Sequence, residues 1–250
     1  MSRFATSDVL FIAHRGGRGD AWPTENTLLA FKRAREQGAT AIELDVRDAA
    51  DGIVIFHDAT LARLSSDHDP RLVSELTLSE LSRVPLMKGG AIPSLIETLE
   101  WADANDVSVN IEFKRDVPSR AALVSSVVKI VASRTGDYLF SSFDPGIVAM
   151  LAVSAPKVKR ALLTSRDQRS AAPLHVLSRK AWLSGVNLER NQTDPALIAT
   201  LRGRGLGVGV WTVNEVVEAR SLIAAGVNWI ISDEAMALKV AVSSGNSQSH

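Results

Sequence analysis

The stretch from Ala41 to Asp58 reads A-I-E-L-D-V-R-D-A-A-D-G-I-V-I-F-H-D and contains two apolar runs joined by a short polar segment. That segment is too short for a crossover helix, so we expect the two runs to pair as an antiparallel hairpin. With Asp51-Gly52 at the turn, the returning run carries His57 next to Glu43 and Asp45. The hairpin therefore predicts a group of titratable side chains at one end of a sheet.

The rest of the chain alternates apolar runs with helical patterns, which indicates βα units and a parallel sheet. Strand candidates lie near residues 9–13, 40–46, 53–57, 107–113, 138–142, 158–163, 184–188, 207–212 and 228–232. The third run belongs to the hairpin, and the other eight match the number of strands in a barrel of roughly 250 residues. We predict an α/β fold, a (β/α)8 TIM barrel with a hairpin-like connection between its second and third strands.

Helix starts are marked by local signals. Thr77-Leu78-Ser79-Glu80 and Ser94-Leu95-Ile96-Glu97 fit the capping box, and Asp144-Pro145 and Asp194-Pro195 place a cap before a first-turn proline. Gly38 is placed to end the first helix. These marks support βα alternation.

We expect residues 1–242 to form a single barrel domain. Residues 59–91 separate a strand from its expected helix by more than a usual loop and contain a short helix of their own. We predict that they form a small cap over the site. The polar residues 243–250 are expected to form a disordered tail.

The composition excludes several classes of function. The 28 basic residues balance 28 acidic ones, which argues against nucleic acid and stable membrane association as partners. The absence of cysteine excludes disulfides and thiolate catalysis. The apolar run before His14 is short for a secretory signal, and no run reaches the roughly 20 residues of a membrane span. We expect a cytoplasmic protein that acts on a small molecule; its oligomeric state is open.

Three acidic residues form a candidate metal site. Glu43 and Asp45 are two apart, so on a strand they point to the same side. Such a pair repels unless one carboxylate is protonated or a cation lies between them. With Glu112 they give an all-oxygen set that suits Mg²⁺, Ca²⁺ or Mn²⁺. Salt bridges within the protein are the alternative interpretation.

Five further residues are candidates for proton transfer and substrate binding. Histidines such as His14 and His57 can transfer protons near neutral pH, and the guanidinium of Arg15 matches a phosphate. Lys114, two residues after Glu112, either neutralises a phosphate or forms an internal ion pair. Trp211, near a strand end, either packs against substrate at the barrel rim or belongs to the core.

The ordered motifs resemble those of the glycerophosphodiester phosphodiesterase family, whose pattern is H-R-G, E-x-D, H-D and I-E-x-K. The resemblance spans nearly the whole chain, and the short cap is similar to that of cytoplasmic bacterial members. The matching positions are His14-Arg15-Gly16, Glu43-Leu44-Asp45, His57-Asp58 and Ile111-Glu112-Phe113-Lys114, with further matches at Glu25-Asn26-Thr27-Leu28, Ile92 to Leu99, Ser142-Phe143-Asp144 and Trp211 to Asn214.

The resemblance implies hydrolysis of glycerophosphodiesters to an alcohol and sn-glycerol 3-phosphate with a divalent cation, for which we expect Mg²⁺ or Ca²⁺, with Mn²⁺ as the alternative. It does not say which histidine is the acid and which the base, nor which alcohol leaves. The implied roles are metal ligation by Glu43, Asp45 and Glu112, acid–base catalysis by His14 and His57, and phosphate binding by Arg15 and Lys114.

Two positions depart from the family pattern. The family's P-E-N-T stands here as P-T-E-N-T from Pro23 to Thr27, so we leave Glu25 out of the metal set. The closing T-D-x-P is replaced by the sequence from Ser232 to Ala235, which lacks the proline. Two alternatives stay open: a lysophospholipase D-like phosphodiesterase on the same barrel, and a non-catalytic phosphodiester binder.

Overall fold

The structure is a computed structural model that describes residues 2–5, 8–165 and 182–244. Its strands form one sheet in which eight parallel strands close into a barrel, because β1 pairs with both β2 and β9. The predicted (β/α)8 barrel is confirmed. The strands are β1 (Leu10–Ala13), β2 (Ala41–Asp48), β3 (Ile53–Ile55), β4 (Ser108–Phe113), β5 (Tyr138–Ser142), β6 (Lys159–Leu163), β7 (Gly185–Glu189), β8 (Gly207–Trp211) and β9 (Trp229–Ser232).

The remaining strand, β3, lies outside the barrel and pairs antiparallel with β2. Val46 is paired with Ile55, and beyond the strand end the Phe56 amide donates to the Asp45 carbonyl at 3.0 Å. The predicted hairpin is confirmed. Its register places His57 at the carboxyl end of the barrel strands.

The helices pack around the barrel, and the four whose starts were predicted begin at the predicted caps. Thr77 and Ser94 each form a complete capping box, and Asp144 and Asp194 cap helices whose first turn contains proline. Gly38 has φ 99° just after the first helix ends, as a glycine at that position allows. The helices in the described part of the chain are α1 (Leu28–Glu36), α2 (Leu78–Leu81), α3 (Leu95–Ala104), α4 (Arg120–Ala132), α5 (Pro145–Ser154), α6 (Pro195–Gly203), α7 (Val216–Ala224) and α8 (Ala235–Ser244).

Trp229 fills part of the barrel interior. It is 2% exposed, and its indole lies against Gly185, Gly207 and Gly209 of β7 and β8. The indole N–H donates to Asn187 Oδ1 at 2.7 Å, so the one polar atom of the ring is satisfied. A side chain at any of the three glycines would occupy the space of the indole.

Residues 59–91 fold over the loop between β1 and α1. Their apolar side chains, which include Leu61, Leu64 and Leu81, form one hydrophobic cluster together with Val54 of β3. The Lys88 amide donates to Thr24 Oγ1 at 3.2 Å, which fixes the segment against the loop. We call residues 59–91 the cap.

The carboxyl terminus differs from the expected tail at its first residues. The last helix continues through Ser243 to Ser244, whose hydroxyls donate to the carbonyls of Lys239 and Val240 one turn earlier. These hydrogen bonds satisfy the serine hydroxyls within the helix. Residues 245–250 lie outside the described part of the chain.

No helix among the described residues has both the length and the apolar character needed to cross a membrane. The cytoplasmic location stays a prediction.

Filling the space beside Trp229 should destabilise the barrel. A Cβ at Gly209 would lie 1.8 Å from the indole nitrogen, whereas a Cβ at Gly203 has no atom within 4 Å. We expect Gly209→Ala to lower the free energy of unfolding by about 1 to 3 kcal/mol, measured by urea denaturation. Gly203→Ala, at the end of α6, is the matched control and should be neutral or slightly stabilising. Equal midpoints for both variants would contradict the role of Trp229 as a rigid filler.

Candidate active site

The predicted site residues all reach the end of the barrel at which the parallel strands finish. In (β/α)8 barrels this is the end that carries the active site. The residues are His14 and Arg15 directly after β1, Glu43 and Asp45 in β2, His57 after β3, Glu112 in β4, Lys114 after β4 and Trp211 at the end of β8.

The three predicted acidic residues form one compact buried cluster. Glu43, Asp45 and Glu112 each offer a carboxylate oxygen, and these oxygens lie within 4.8 Å of one another. Burial raises the pKa of Glu43 well above its usual range, and the charges of Asp45 and Glu112 raise it further. Burial also raises the pKa of Asp45, but the positive charges of Lys114 and Arg15 outweigh burial and hold this pKa below its usual range.

The cluster fits a hard divalent cation. Glu43 Oε1 is buried and has no hydrogen-bond partner, which is a costly state for a carboxylate oxygen. A cation among the three carboxylates would pair this oxygen and relieve the repulsion that raises the Glu43 pKa. Oxygen ligands alone are the chemistry that Mg²⁺, Ca²⁺ and Mn²⁺ prefer.

Lys114 supplies one of the positive charges at the cluster. Its ammonium lies 2.7 Å from Glu112 Oε1 and 3.2 Å from Asp45 Oδ1. Burial lowers the Lys114 pKa, but the two carboxylates outweigh it and hold the pKa above its ordinary value. Of the two sequence-based interpretations, the ion pair is therefore present, and the side chain stays protonated.

Arg15 joins the β1–α1 loop to the same cluster. Its amide donates to Glu43 Oε2 at 3.0 Å, and its Nε lies 3.2 Å from Asp45 Oδ2. The backbone at Arg15 has φ 52°, a left-handed conformation that turns the chain sharply after β1. The carboxylates of Asp45, Glu25 and Glu43 outweigh the effect of burial and raise the Arg15 pKa above its ordinary value.

His14 is oriented by an aspartate that sequence analysis did not single out. Its Nδ1 lies 2.7 Å from Asp233 Oδ1, and its Nε2 is 4.0 Å from Glu43 Oε2. Asn214 Nδ2 in turn donates to Asp233 Oδ2 at 3.0 Å. With Nδ1 engaged, Nε2 is the nitrogen that faces the carboxylate cluster. The S-D pair at the end of β9, Ser232-Asp233, was the signal for Asp233 in the sequence.

His57 has the same arrangement with a different partner. Its Nδ1 lies 2.7 Å from Asp58 Oδ1, and its ring lines a cavity of about 550 Å³ together with Glu112 and Lys114. Burial raises the Asp58 pKa, but hydrogen bonds from His57 and Arg63 outweigh it and keep that pKa below its usual range. The structure thus provides each histidine with an ionised aspartate.

Glu25 binds arginines. Its carboxylate contacts Arg15 Nη1 at 2.8 Å, Arg18 Nε at 2.9 Å and Arg63 Nη2 at 2.7 Å. Burial opposes its ionisation, but the hydrogen bonds from Arg63 and Arg15 hold its pKa at about 2. The neighbouring Asn26 donates to Asp45 Oδ2 at 2.8 Å. Glu25 and Asn26 of the β1–α1 loop therefore hold Arg15 and Asp45 in place.

Trp211 lies at the rim of the same 550 Å³ cavity. Its indole N–H donates to the Asn187 carbonyl at 3.2 Å, and its ring meets Phe143 edge to face with centroids 5.3 Å apart. The ring is only partly buried, so it presents an aromatic wall to the cavity. Its position agrees with the predicted place at the rim.

Comparisons with known proteins show relatives in both sequence and fold. A glycerophosphodiester phosphodiesterase from Caldanaerobacter subterraneus subsp. tengcongensis is 30% identical over 236 residues, which cover 90% of this chain and 94% of the relative. A phosphodiesterase from Oleispira antarctica, solved in complex with the product sn-glycerol-3-phosphate, has the same fold with a TM-score of 0.85, at 24% identity and with 97% of this chain and 100% of that chain covered.

A glycerophosphodiester phosphodiesterase from Thermotoga maritima matches with a TM-score of 0.77 at 26% identity, covering 94% of this chain and 99% of that chain. The model of the glycerophosphoryl diester phosphodiesterase family matches residues 14–237, a range that contains every residue of the candidate site. From its sequence and its barrel, the chain belongs to the glycerophosphoryl diester phosphodiesterase family.

Proposed function

We propose that this phosphoric diester hydrolase uses a divalent cation and two histidines to cleave glycerophosphodiesters into an alcohol and sn-glycerol 3-phosphate. The observation that carries the proposal is the buried carboxylate cluster with an unpaired oxygen on Glu43, flanked by His14 and His57, each bound to an aspartate. A phosphodiester binder without catalysis would need the positive charges but not two oriented histidines.

Glu43, Asp45 and Glu112 would hold the cation. When bound, the cation supplies positive charge that stabilises the charge developing on the phosphate oxygens. Arg15 and Lys114 lie at the same cluster and stay protonated, so a phosphate there meets two further positive charges.

The two histidines would transfer the protons. One imidazole Nε2 accepts a proton from the nucleophile, either water or a glycerol hydroxyl of the substrate, as its oxygen bonds to phosphorus. The other imidazolium donates a proton to the oxygen of the leaving alcohol as its bond to phosphorus breaks, and where the glycerol hydroxyl attacks, water then opens the cyclic phosphate. The aspartates at Nδ1 keep both rings oriented and favour the protonated form when it arises. The symmetry of the two His–Asp pairs leaves the assignment of acid and base to experiment.

The lining of the 550 Å³ cavity favours a small polar substrate. Arg47, Lys114, Arg115 and Asp116 contribute charge to its wall, and Trp211 contributes an aromatic face. Charged groups would lie against an acyl chain at a cost in desolvation, which argues against a lysophospholipid. We propose that Trp211 packs against the carbon atoms of the substrate.

Removing one histidine should separate an enzyme from a binder. We expect His14→Ala to lower turnover of glycerophosphocholine or glycerophosphoethanolamine by roughly 10²-fold or more, because a proton-transfer group is lost. His68→Asn in the cap is the control, since His68 is exposed and its ring is hydrogen-bonded, within the described part of the chain, to the Ala62 carbonyl alone. Unchanged turnover in His14→Ala would reject the catalytic assignment.

Metal binding should be visible without an activity assay. We expect Mg²⁺, Ca²⁺ or Mn²⁺ to raise the melting temperature by roughly 5 °C or more at about 100 times the dissociation constant. Glu43→Gln should lose most of that rise, because Glu43 supplies the unpaired oxygen. Glu36→Gln, an exposed change at the end of α1, should keep it. Excess EDTA should abolish turnover, and sustained turnover in EDTA would refute the metal dependence.

A further inference from the structure

Arg63 of the cap contacts two carboxylates that belong to different parts of the site. Its Nε donates to Asp58 Oδ2, and its Nη2 donates to Glu25 Oε1 at 2.7 Å. Asp58 follows the hairpin, whereas Glu25 lies in the β1–α1 loop. The planar guanidinium therefore joins the hairpin end to the loop after β1 through two separate nitrogen atoms.

The contact with Asp58 bears directly on His57. Asp58 has two oxygens: Oδ1 accepts the hydrogen bond at His57 Nδ1, and Oδ2 accepts from Arg63. A carboxylate with one oxygen held in this way has a fixed plane, so the direction of the bond to the imidazole is fixed as well. Without Arg63 the Asp58 side chain, which is one quarter exposed, could rotate toward water.

The contact with Glu25 keeps Arg63 itself in place. The Glu25 side chain is 5% exposed, while that of Arg63 is 41% exposed. Arg15 and Arg18 hold the same carboxylate, so the anchor of Arg63 is buried and already fixed from two sides. A long exposed arginine would otherwise lose much conformational entropy in holding one geometry.

We propose that Arg63 is a positioning residue for the reaction: anchored on Glu25, it holds Asp58 in the orientation that directs His57 Nε2 into the cavity. The inference rests on the proposed role of His57 in proton transfer. It also gives the cap a part in catalysis, because Arg63 is the cap residue that contacts both Asp58 and Glu25 within the described chain.

A second cap arginine provides a matched control. Arg71 also forms a salt bridge within the cap, with Asp69 at 2.6 Å, and its side chain is 55% exposed. Its side chain is hydrogen-bonded to Asp69 alone among the described side chains. If the loss of any exposed ion pair in the cap lowers kcat, Arg71→Ala should therefore lower it as much as Arg63→Ala does.

The test compares Arg63→Ala, Arg63→Lys and Arg71→Ala in the full chain, with glycerophosphoethanolamine at saturating Mg²⁺. We expect Arg63→Ala to lower kcat by about 10-fold to 100-fold with little change in KM, because a displaced proton-transfer group acts on the transition state. Millimolar guanidinium should restore part of kcat, since Arg63 lines a cavity of about 580 Å³ that admits the ion. Arg71→Ala should match the wild type.

Arg63→Lys covers the case in which the alanine variant does not fold. Lysine keeps a positive charge beside Glu25 but cannot donate to both carboxylates in the fork geometry of arginine. We expect it to keep the wild-type melting temperature and to lose kcat. Wild-type kcat in Arg63→Lys would overturn the proposal, and so would wild-type kcat in a folded Arg63→Ala.

Coupling to Asp58 provides the decisive measurement. If Arg63 acts through Asp58, adding Arg63→Ala to Asp58→Asn should lower kcat no further, whereas two independent effects would multiply. Multiplying effects would overturn the proposal. His57→Ala separates this test from the proposed function: full turnover in His57→Ala would refute the role of His57 itself, while an inactive His57→Ala beside an unaffected Arg63→Ala would refute only the role of Arg63.

Discussion

Repulsion among the buried carboxylates of Glu43, Asp45 and Glu112 is the constraint on which the active end of the barrel depends. Three carboxylates with oxygens within 4.8 Å of one another, shielded from water, can all ionise only if positive charge compensates them. Arg15 and Lys114 supply part of it through direct contacts with the cluster. With these two cations in place, Glu43 Oε1 still has no hydrogen-bond partner. A cation and a phosphate together would complete the charge balance.

Around this cluster the fold arranges supports that never touch it. Asp233 and Asp58 hold the two histidines at Nδ1, and Glu25 forms ion pairs with arginines of the β1–α1 loop and the cap. These three aspartate and glutamate side chains follow β9, follow β3 and lie in the β1–α1 loop, so separate segments of the chain stabilise the site. Arg63 joins the cap to these supports, and the hydrophobic cluster of the cap also contains Val54 of β3.

Local sequence signals were sufficient for the barrel and for most of the site. Apolar runs marked the strands, the short segment after β2 required a hairpin, and alternation along β2 placed Glu43 and Asp45 on one side. The supporting residues were not predictable in this way. Asp233 is 219 positions from His14, and no periodicity relates residues so far apart. The arginine partners of Glu25 are nearer in sequence, but they lie in the β1–α1 loop and the cap, where no strand or helix period relates them to Glu25.

The sequence by itself determined which residue types stand at the strand ends and in what order, because strand alternation and turn length act over a few residues. It therefore determined the fold, the family and the candidate catalytic groups. Only the tertiary structure decided the pairings: that Lys114 lies between Asp45 and Glu112, that Glu25 binds arginines, and that each histidine has its own aspartate. Barrel closure brings the ends of distant strands together, and contacts made across that ring depend on three-dimensional distance.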